Sequence, residues 1–344
     1  MEIDSRSINK SRRRSRAKES SVGALFLSPF IINFIIFSII PIGFGLFISF
    51  FNYDPYNPDK IEFVGFQNYA YVFDILLERI FGEGASIVDV SVPYSRYFWD
   101  SFKTTLLFDI VAVPFLIIIP LALAYLINMN PPGGKLFRAI LYVPSVVSIS
   151  IVGIIFGNMF GADPESFINS LFGTEINWLN NRNSPELRWA VILIASIWWQ
   201  TGGNFIILLA ALKNVPKHLY EACEIDGGSK WKAFTKVTLP NIKGSISICL
   251  FTTIIGYLGL YGQVTVLTGP VWSSTYDSPM QLLQFLMSSP GKGAMTGYIT
   301  AVAIIFGLIT MIFTAIEKIC TRDKKKGDKH AKRYYNYYAK EKNA

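Results

Sequence analysis

The chain has 344 residues, of which 51% are hydrophobic, 15% are aromatic and only 16% are charged. Because a soluble globular protein carries about 25% charged residues, this composition excludes an ordinary soluble domain and indicates that lipid covers much of the surface. The formal net charge of +8 lies beside long apolar segments, which favours a membrane protein over a nucleic-acid-binding protein.

Six segments are apolar over the roughly 20 residues that a membrane-spanning helix requires. The first follows a basic tail at 1–23 and is too long for the core of a cleaved signal peptide. We therefore predict an all-α polytopic membrane protein with about six transmembrane helices, at 24–51, 104–127, 137–160, 189–212, 245–266 and 297–319.

The basic residues predict the orientation of these helices. With the N-terminus inside, 25 of the 32 Lys and Arg residues fall in cytoplasmic segments, so both termini are expected on the cytoplasmic side of a bacterial cell membrane. The prediction divides the chain into a cytoplasmic tail at 1–23, the first helix, an acidic extracytoplasmic loop at 52–103, a core membrane domain at 104–319 and a lysine-rich cytoplasmic tail at 320–344.

Residues that could carry covalent or metal chemistry are few. The three cysteines, Cys223, Cys249 and Cys320, predict no disulfide framework, and the two histidines are far apart. We therefore expect no metal site, no catalytic residues and no enzymatic activity in this chain.

Several polar or aromatic side chains fall inside the predicted spans. Asp109 lies early in the second span, near its predicted outer end, and is either a contact for a transported solute or a packing residue. Span four contains two glycines that could open the helix to a solute. Aromatic faces stack on sugar rings and amides bind hydroxyls, so the candidates for a solute path are Trp198, Trp199, Gln200, Asn204, Tyr257, Tyr261 and Asp109, with ordinary interhelical packing as the alternative.

A conspicuous loop, within the cytoplasmic segment at 213–243, separates spans four and five. Small and apolar residues around Ala222 and Cys223 have helical spacing, and Gly227-Gly228 then predicts a break. Trp231, Phe234 and Val237 resume an apolar spacing of three. The pattern predicts two short helices joined by a bend beneath the membrane, with Leu239-Pro240 ending the second helix before span five.

This loop resembles the conserved loop of binding-protein-dependent ABC transporter permeases. That motif reads Glu-Ala-Ala, three residues, Gly, nine residues, Ile, one residue, Leu-Pro. The chain matches its spacing, with Cys223 for the second Ala and Val237 for Ile; the matching residues are Glu221, Ala222, Cys223, Gly227, Val237, Leu239 and Pro240, and Asp226 lies beside the glycine. In the family this loop docks into a cytoplasmic ATPase, so the resemblance implies a type I importer bundle that ATP hydrolysis drives.

Further stretches resemble the sugar branch of that family, the maltose- and glycerol-phosphate-like permeases. They are Trp178-Leu179, the Leu-Ala-Ala-Leu run at 209–212 and the Leu-Thr-Gly-Pro run at 267–270. The resemblance implies as partners a second permease subunit, more often a different chain than a copy, a cytoplasmic ATPase dimer and an extracytoplasmic solute-binding protein. It also implies a sugar substrate, with an oligosaccharide expected first.

Nucleotide binding is expected on a partner rather than here. The nearest echo of the phosphate-binding motif G-x-x-x-x-G-K-[ST] is Gly134-Lys135, but Met129 and Leu136 stand where the motif requires Gly and Ser or Thr. We therefore expect no cofactor on this chain and ATP with Mg²⁺ on the ATPase. The alternatives are an ion- or proton-coupled carrier, which would carry more charge within the spans, and a membrane-embedded enzyme.

Overall fold

The computed structural model describes residues 25–57, 59, 61–81, 93–179, 184–269, 278–288 and 295–341. The predicted tail at 1–23, the loop residues at 82–92 and Pro270 lie outside these residues, and so does the side chain of Cys320. What the sequence predicts for them stays a prediction.

The described chain is mostly helical because long apolar runs without surrounding water satisfy their backbone groups within a helix. Two short strands, β1 (Phe51–Asn52) and β2 (Glu62–Phe63), form one antiparallel pair. The helices are α1 (Leu25–Ile48), α2 (Gln67–Phe81), α3 (Pro93–Asn128), α4 (Gly134–Val146), α5 (Ile149–Met159), α6 (Phe167–Phe172), α7 (Pro185–Lys213), α8 (Lys217–Ile225), α9 (Lys230–Leu258), α10 (Gly262–Thr268), α11 (Pro279–Ser288) and α12 (Thr296–Glu341).

Five helices in the described ranges are long and apolar enough to cross a membrane, and a bent pair supplies a sixth candidate. The prediction of an all-α polytopic protein with about six spans is therefore confirmed. The five single spans are Leu25–Ile48, Arg96–Asn128, Glu186–Lys213, Lys230–Leu258 and Thr296–Ile319.

The third predicted span is not one straight helix. Helices α4 and α5 meet at 97°, so a single helix over 137–160 was the wrong expectation. Val147 has extended backbone and ends α4, and the Ser148 hydroxyl accepts a hydrogen bond from the Ile151 N–H at the start of α5. A serine at this position is a typical helix cap, which explains why a new helix begins there.

Three other bounds differ from the prediction. Helix α3 begins at Pro93 rather than at residue 104, and its apolar part alone is about 50 Å long, more than the roughly 30 Å of the hydrocarbon core. Helix α9 begins at Lys230 and ends at Leu258, so the predicted bounds 245–266 are wrong at both ends. Helix α12 continues past residue 319 to Glu341, where a tail was expected.

The chain divides into two compact units, which are described separately. The first comprises Met1–Tyr71 and Pro290–Ile304. In it the Asn68 side-chain N–H group donates hydrogen bonds to the carbonyls of Ser49 and Phe51, at 2.9 and 3.0 Å. A Cβ atom at Gly297 would lie 1.9 Å from the Phe51 carbonyl oxygen, so only glycine fits there.

The second unit comprises Val72–Ser289 and Ile305–Ala344 and has two clusters of buried side chains. One cluster joins α3, α5, α7 and α10 and includes Phe108, Ile192 and Val264. The other joins the C-terminal halves of α3 and α7 to the N-terminal part of α9 and includes Ala124, Leu212 and Ile242. Leu219, Tyr220 and Val237 from the predicted coupling loop pack against this second cluster, which fixes the loop to the bundle.

Candidate functional site

The segment from Lys217 to Pro240, hereafter the elbow, contains the motif found in the sequence. Its first arm is α8, which begins after Pro216 and presents Glu221 and Ala222 to the surface. Cys223 is half-buried, and Ile225 is 86% exposed. The motif residues of the first arm are therefore mostly available for contact with another molecule.

The bend of the elbow is built by two consecutive glycines. Gly227 has φ +68°, a left-handed conformation that glycine adopts without strain. The Gly228 N–H donates to the Cys223 carbonyl at 2.8 Å and the Gly227 N–H to the Glu224 carbonyl at 3.0 Å, which is the Schellman pattern that ends helices. The predicted break is confirmed, and Asp226 is the residue on which α8 ends.

Glycine is also required at 228 for a steric reason. A Cβ atom there would lie 2.4 Å from the Cys223 sulfur and 2.6 Å from its carbonyl oxygen. Ser229 then starts the second arm, because its hydroxyl accepts a hydrogen bond from the Lys232 N–H at 3.3 Å.

The second arm does not end before span five. Residues Phe234–Thr238 form a π-helical turn in which the Leu239 N–H donates to the Phe234 carbonyl, and the helix continues through Pro240 to Leu258. A proline, which has no N–H, is tolerated in the first turn of the segment after the wide turn. The prediction that Leu239-Pro240 ends a separate short helix is therefore wrong.

The two arms are fastened to one another. The hydroxyls of Tyr220 on the first arm and Thr238 on the second form a hydrogen bond of 3.0 Å, and Thr238 is fully buried. Val237 and Leu239 are half-buried beside them, whereas Pro240 is exposed. The motif positions of the second arm thus serve mainly to hold the elbow on the bundle.

The outer surface of the elbow is chemically uneven. The first arm exposes Glu221, Glu224 and Asp226. The second arm exposes Lys230, Lys232 and Lys236, and the Trp231 side chain is 72% exposed. A mixture of an exposed Trp, an exposed Ile and charges of both signs is typical of a protein-binding surface.

The candidates for a solute path on α7 serve mainly as links between helices. The Trp199 indole N–H donates to the Val147 carbonyl at 2.8 Å and so holds the bend between α4 and α5. Trp198 is 40% exposed and its ring packs on Phe156, while Gln200 is half-buried. The helix is unbroken at Gly202-Gly203, and a role of these glycines toward a solute stays a prediction.

Asn204 joins three helices through its side-chain amide. Its amide N–H groups donate to the Leu116 carbonyl on α3 at 2.9 Å and to the Thr253 hydroxyl on α9 at 3.1 Å. Pro120 lies four residues after Leu116 and has no N–H to offer that carbonyl. Asn204 therefore replaces the backbone hydrogen bond that Pro120 removes.

Asp109 is deep in α3 rather than at its outer end. Asp109 is 5% exposed, and neither oxygen of its carboxylate has a hydrogen-bond partner among the described residues. The Ser196 hydroxyl and the Asp109 carboxylate both lie near the Tyr257 hydroxyl. Within the described chain the hydroxyls of Ser196 and Tyr257 also lack hydrogen bonds of good geometry, as do the Thr105 hydroxyl and the Trp189 indole N–H.

The other aromatic candidates are placed differently. The Tyr257 ring is buried against Phe108, with ring centroids 5.8 Å apart, and Phe108 in turn packs on Trp189 at 5.0 Å. The Tyr261 hydroxyl donates to the Gln284 side-chain oxygen, which links the turn after α9 to α11. The structure thus places Tyr257 near Asp109, whereas Tyr261 pairs with a residue of α11.

Sequence reasoning missed Ser196, Thr105 and Trp189, and it also missed Tyr125, whose ring lies 4.9 Å from that of Phe234 in the elbow. Tyr125 is near the C-terminal end of α3 and 109 residues before Phe234 in the chain. Phe234 was visible as part of an apolar spacing, but no local pattern indicates the ring with which it pairs.

Comparisons with known proteins identify the family. The family described as binding-protein-dependent transport system inner membrane component matches residues 98–326. A probable ABC transporter permease protein, YesP of Bacillus subtilis, is 29% identical over 87% of this chain and 91% of its own length. The arabinooligosaccharides transport system permease AraP of Bacillus subtilis is 28% identical over 85% and 86%, respectively.

A solved structure supports the fold. A chain in the crystal structure of a bacterial ABC transporter involved in alginate import superposes with a TM-score of 0.70, with 91% of this chain and 99% of that chain covered. Its sequence identity is 22%, so the likeness concerns the fold alone. Since the family match covers most of the chain and the spans agree with it, this chain belongs to the inner membrane components of binding-protein-dependent transport systems.

Proposed function

We propose that this chain is one of two permease subunits of an ATP-driven importer for a sugar, with an oligosaccharide as the substrate. In this proposal a cytoplasmic ATPase dimer hydrolyses ATP with Mg²⁺ and docks on the elbow, and an extracytoplasmic binding protein delivers the sugar. Both termini and the elbow are on the cytoplasmic side. Because one chain offers one elbow, a second, different permease subunit would supply the other.

The observation that carries the proposal is the geometry of the elbow. The Schellman turn at Gly227, the Ser229 cap and the Tyr220–Thr238 hydrogen bond hold two short arms in one fixed shape at the end of a membrane span. The outer face carries three acids and Lys217 on the first arm and three lysines on the second. A rigid, exposed and charged projection of this kind is suited to bind a rigid partner.

Docking of an ATPase is tested by co-purification. The tagged chain, extracted from its native membrane in mild detergent, is expected to recover a nucleotide-hydrolysing subunit in stoichiometric amount. Glu221→Ala, which removes an exposed acid at a motif position, is expected to lower that recovery about tenfold, since a hydrogen-bonded charge at an interface is typically worth 2 kcal/mol or more.

Glu165→Ala is the matched control for this experiment. Glu165 is also an exposed acid but lies between α5 and α6, outside the elbow, so its replacement changes net charge equally and should leave recovery close to wild type. Recovery of the chain with no ATPase, or equal effects of the two variants, would contradict the proposed docking.

Sugar as the substrate class is supported by the relatives and by chemistry. AraP is named for arabinooligosaccharides, and a relative from Thermococcus litoralis, 28% identical, is named as a trehalose/maltose permease. Asp109, Tyr257 and Ser196 present buried oxygens without hydrogen-bond partners in the described chain. Each such group costs about 1–3 kcal/mol, which hydroxyl groups of a passing sugar could repay.

The path is tested by uptake of radiolabelled maltose, trehalose and an arabinooligosaccharide into vesicles that contain the assembled complex. Asp109→Asn keeps the shape of the side chain and removes its charge, and it should lower uptake at least several-fold. Gln200→Ala and Asn204→Ala test the two amide candidates on α7. Gly157→Ala, at a half-buried position with nothing within 4 Å of the added Cβ atom, serves as the control. Unchanged uptake in all three variants would remove these residues from the path.

Orientation is tested with a membrane-impermeant thiol reagent on intact cells. Cys223 in the elbow is half-buried, so a cysteine at the exposed position Glu224 in a Cys223→Ser chain is the better probe. Labelling is expected only after the cells are opened. Rapid labelling from outside would place the elbow on the wrong side and overturn the proposed function.

A further inference from the structure

The elbow is a closed structural unit. Its two arms are joined at the bend by the Schellman hydrogen bonds around Gly227 and at their far ends by the Tyr220–Thr238 hydrogen bond. A closed loop of contacts of this kind leaves no free hinge between the arms. A displacement of the exposed face must therefore pass to whatever the elbow contacts on the bundle.

A row of three aromatic rings leads from that face to α3. Trp231 is 72% exposed, and its ring lies 5.7 Å from the ring of Phe234. The Phe234 ring contacts the Tyr125 ring edge-on at 4.9 Å. Edge-on contact at this distance is the favoured geometry for aromatic pairs, because the positive ring edge meets the negative face.

Helix α3 carries this contact toward the centre of the span. Tyr125 is in the last turn of α3, and the same helix holds Leu116, whose carbonyl accepts a hydrogen bond from Asn204, and Asp109 beyond it. Asn204 also donates to Thr253 on α9, the helix that begins in the elbow. Helices α3 and α9 are thus connected at three levels, by the Phe234–Tyr125 pair, by Asn204 and by the Phe108–Tyr257 ring contact.

We propose that Phe234 and Tyr125 are positioning residues for transport, because their ring contact transmits displacement of the elbow to α3 and thereby to the polar groups around Asp109. This inference rests on the proposed function, since it assumes that a partner ATPase displaces the elbow. Neither ring touches the solute, and neither is needed for the ATPase to bind.

The test uses the complete complex in vesicles, with two readouts. The first is maltose or arabinooligosaccharide uptake per ATP hydrolysed. The second needs no solute: it is the change on ATP addition in the labelling rate of Gln200→Cys, in a chain whose native cysteines are replaced by serine. Tyr125→Leu and Phe234→Leu keep apolar volume but remove the ring, and each should lower both readouts about tenfold while the ATPase still co-purifies.

Two further variants distinguish transmission from mere packing. Tyr125→Phe preserves the ring and is expected to retain at least half of wild-type coupling. The double variant should be no worse than either single variant, because both remove the same contact. Phe115→Leu, at a 46% exposed aromatic position on the same helix, is the control and should behave as wild type.

If the wild-type complex imports sugar and Tyr125→Leu and Phe234→Leu show normal coupling, this inference is overturned. The proposed function then still stands. Loss of ATPase binding in both variants would also overturn the inference, because the pair would then be needed for assembly. If the wild-type complex shows neither an ATPase nor ATP-dependent uptake, the proposed function itself is refuted.

Discussion

Helices α4 and α7 approach one another closely at Gly202, and this makes a sharp prediction for Gly202→Ala. A Cβ atom there would lie 2.7 Å from the Leu141 carbonyl oxygen and 2.9 Å from the Ser145 hydroxyl, both on α4. Backbone cannot retreat as a flexible side chain can, so the clash should cost about 1–3 kcal/mol. Apart from the clash, replacing a helical glycine by alanine stabilises the folded chain by about 1 kcal/mol, because alanine has the higher helix propensity.

The neighbouring residue isolates the packing contribution. Gly203 has nothing within 4 Å of its would-be Cβ atom, so Gly203→Ala has the same gain in helix propensity without the clash. The Gly202→Ala chain should therefore be less stable than the Gly203→Ala chain by about 1–3 kcal/mol. The sign of this difference does not depend on the exact value of the propensity gain.

The two variants can be compared by thermal unfolding of the purified chain in detergent. Cys249 is fully buried, so a thiol-reactive dye reports unfolding at that position once Cys223 and Cys320 are replaced by serine. The unfolding midpoint of Gly202→Ala is expected to lie several degrees below that of Gly203→Ala. Equal midpoints would show that α4 and α7 do not approach as closely as described, and the reasoning would be refuted.

Three further predictions concern single contacts. Asn204→Leu should destabilise the chain by about 1–3 kcal/mol, because it leaves the Leu116 carbonyl unpaired. Adding Pro120→Ala should recover much of that loss by restoring a backbone N–H. The thermal assay above checks both variants, and full additivity of the two changes would contradict the prediction. Gly227→Ala should strain the elbow by about 1 kcal/mol and increase its cleavage in limited proteolysis, and Gly227→Asn should have a smaller effect on both. Equal cleavage of wild type and both variants would contradict the left-handed turn. Asn169→Leu removes hydrogen bonds to the carbonyls of Gly161, Asp163 and Ile176, so hydrogen exchange should accelerate in residues 161–178 and stay unchanged in α7; unaltered exchange there would refute the structural role of Asn169.

Much of this architecture could be predicted because its signals are local. Long apolar runs identify membrane spans, and the pair Gly227-Gly228 followed by Ser229 specifies a helix end, a bend and a new start within three residues. The elbow was therefore predicted in outline. Its continuation into α9 was not, because Leu239-Pro240 is a typical stop signal and the π-helical turn that accommodates it has no recognised sequence pattern.

The bend at 147–148 was missed for a similar reason. The apolar run through it is long enough for one span, and a lone Ser148 among apolar residues is a weak signal for a cap. The position of Asp109 within its helix was also misjudged: α3 begins at Pro93 rather than at residue 104, so Asp109 lies near the middle of the helix. Contacts between distant residues, such as Phe234 with Tyr125, leave no trace in a single sequence.

The substitution of Asn204 for a missing backbone donor has an evolutionary consequence. While Pro120 is present, replacing Asn204 by an apolar residue leaves a carbonyl stranded in the membrane, and the chain loses stability. A lineage that first changes Pro120 to a residue with an N–H escapes this constraint, and position 204 then becomes free to vary. Across divergent relatives the two positions should therefore covary, with the proline lost before the asparagine.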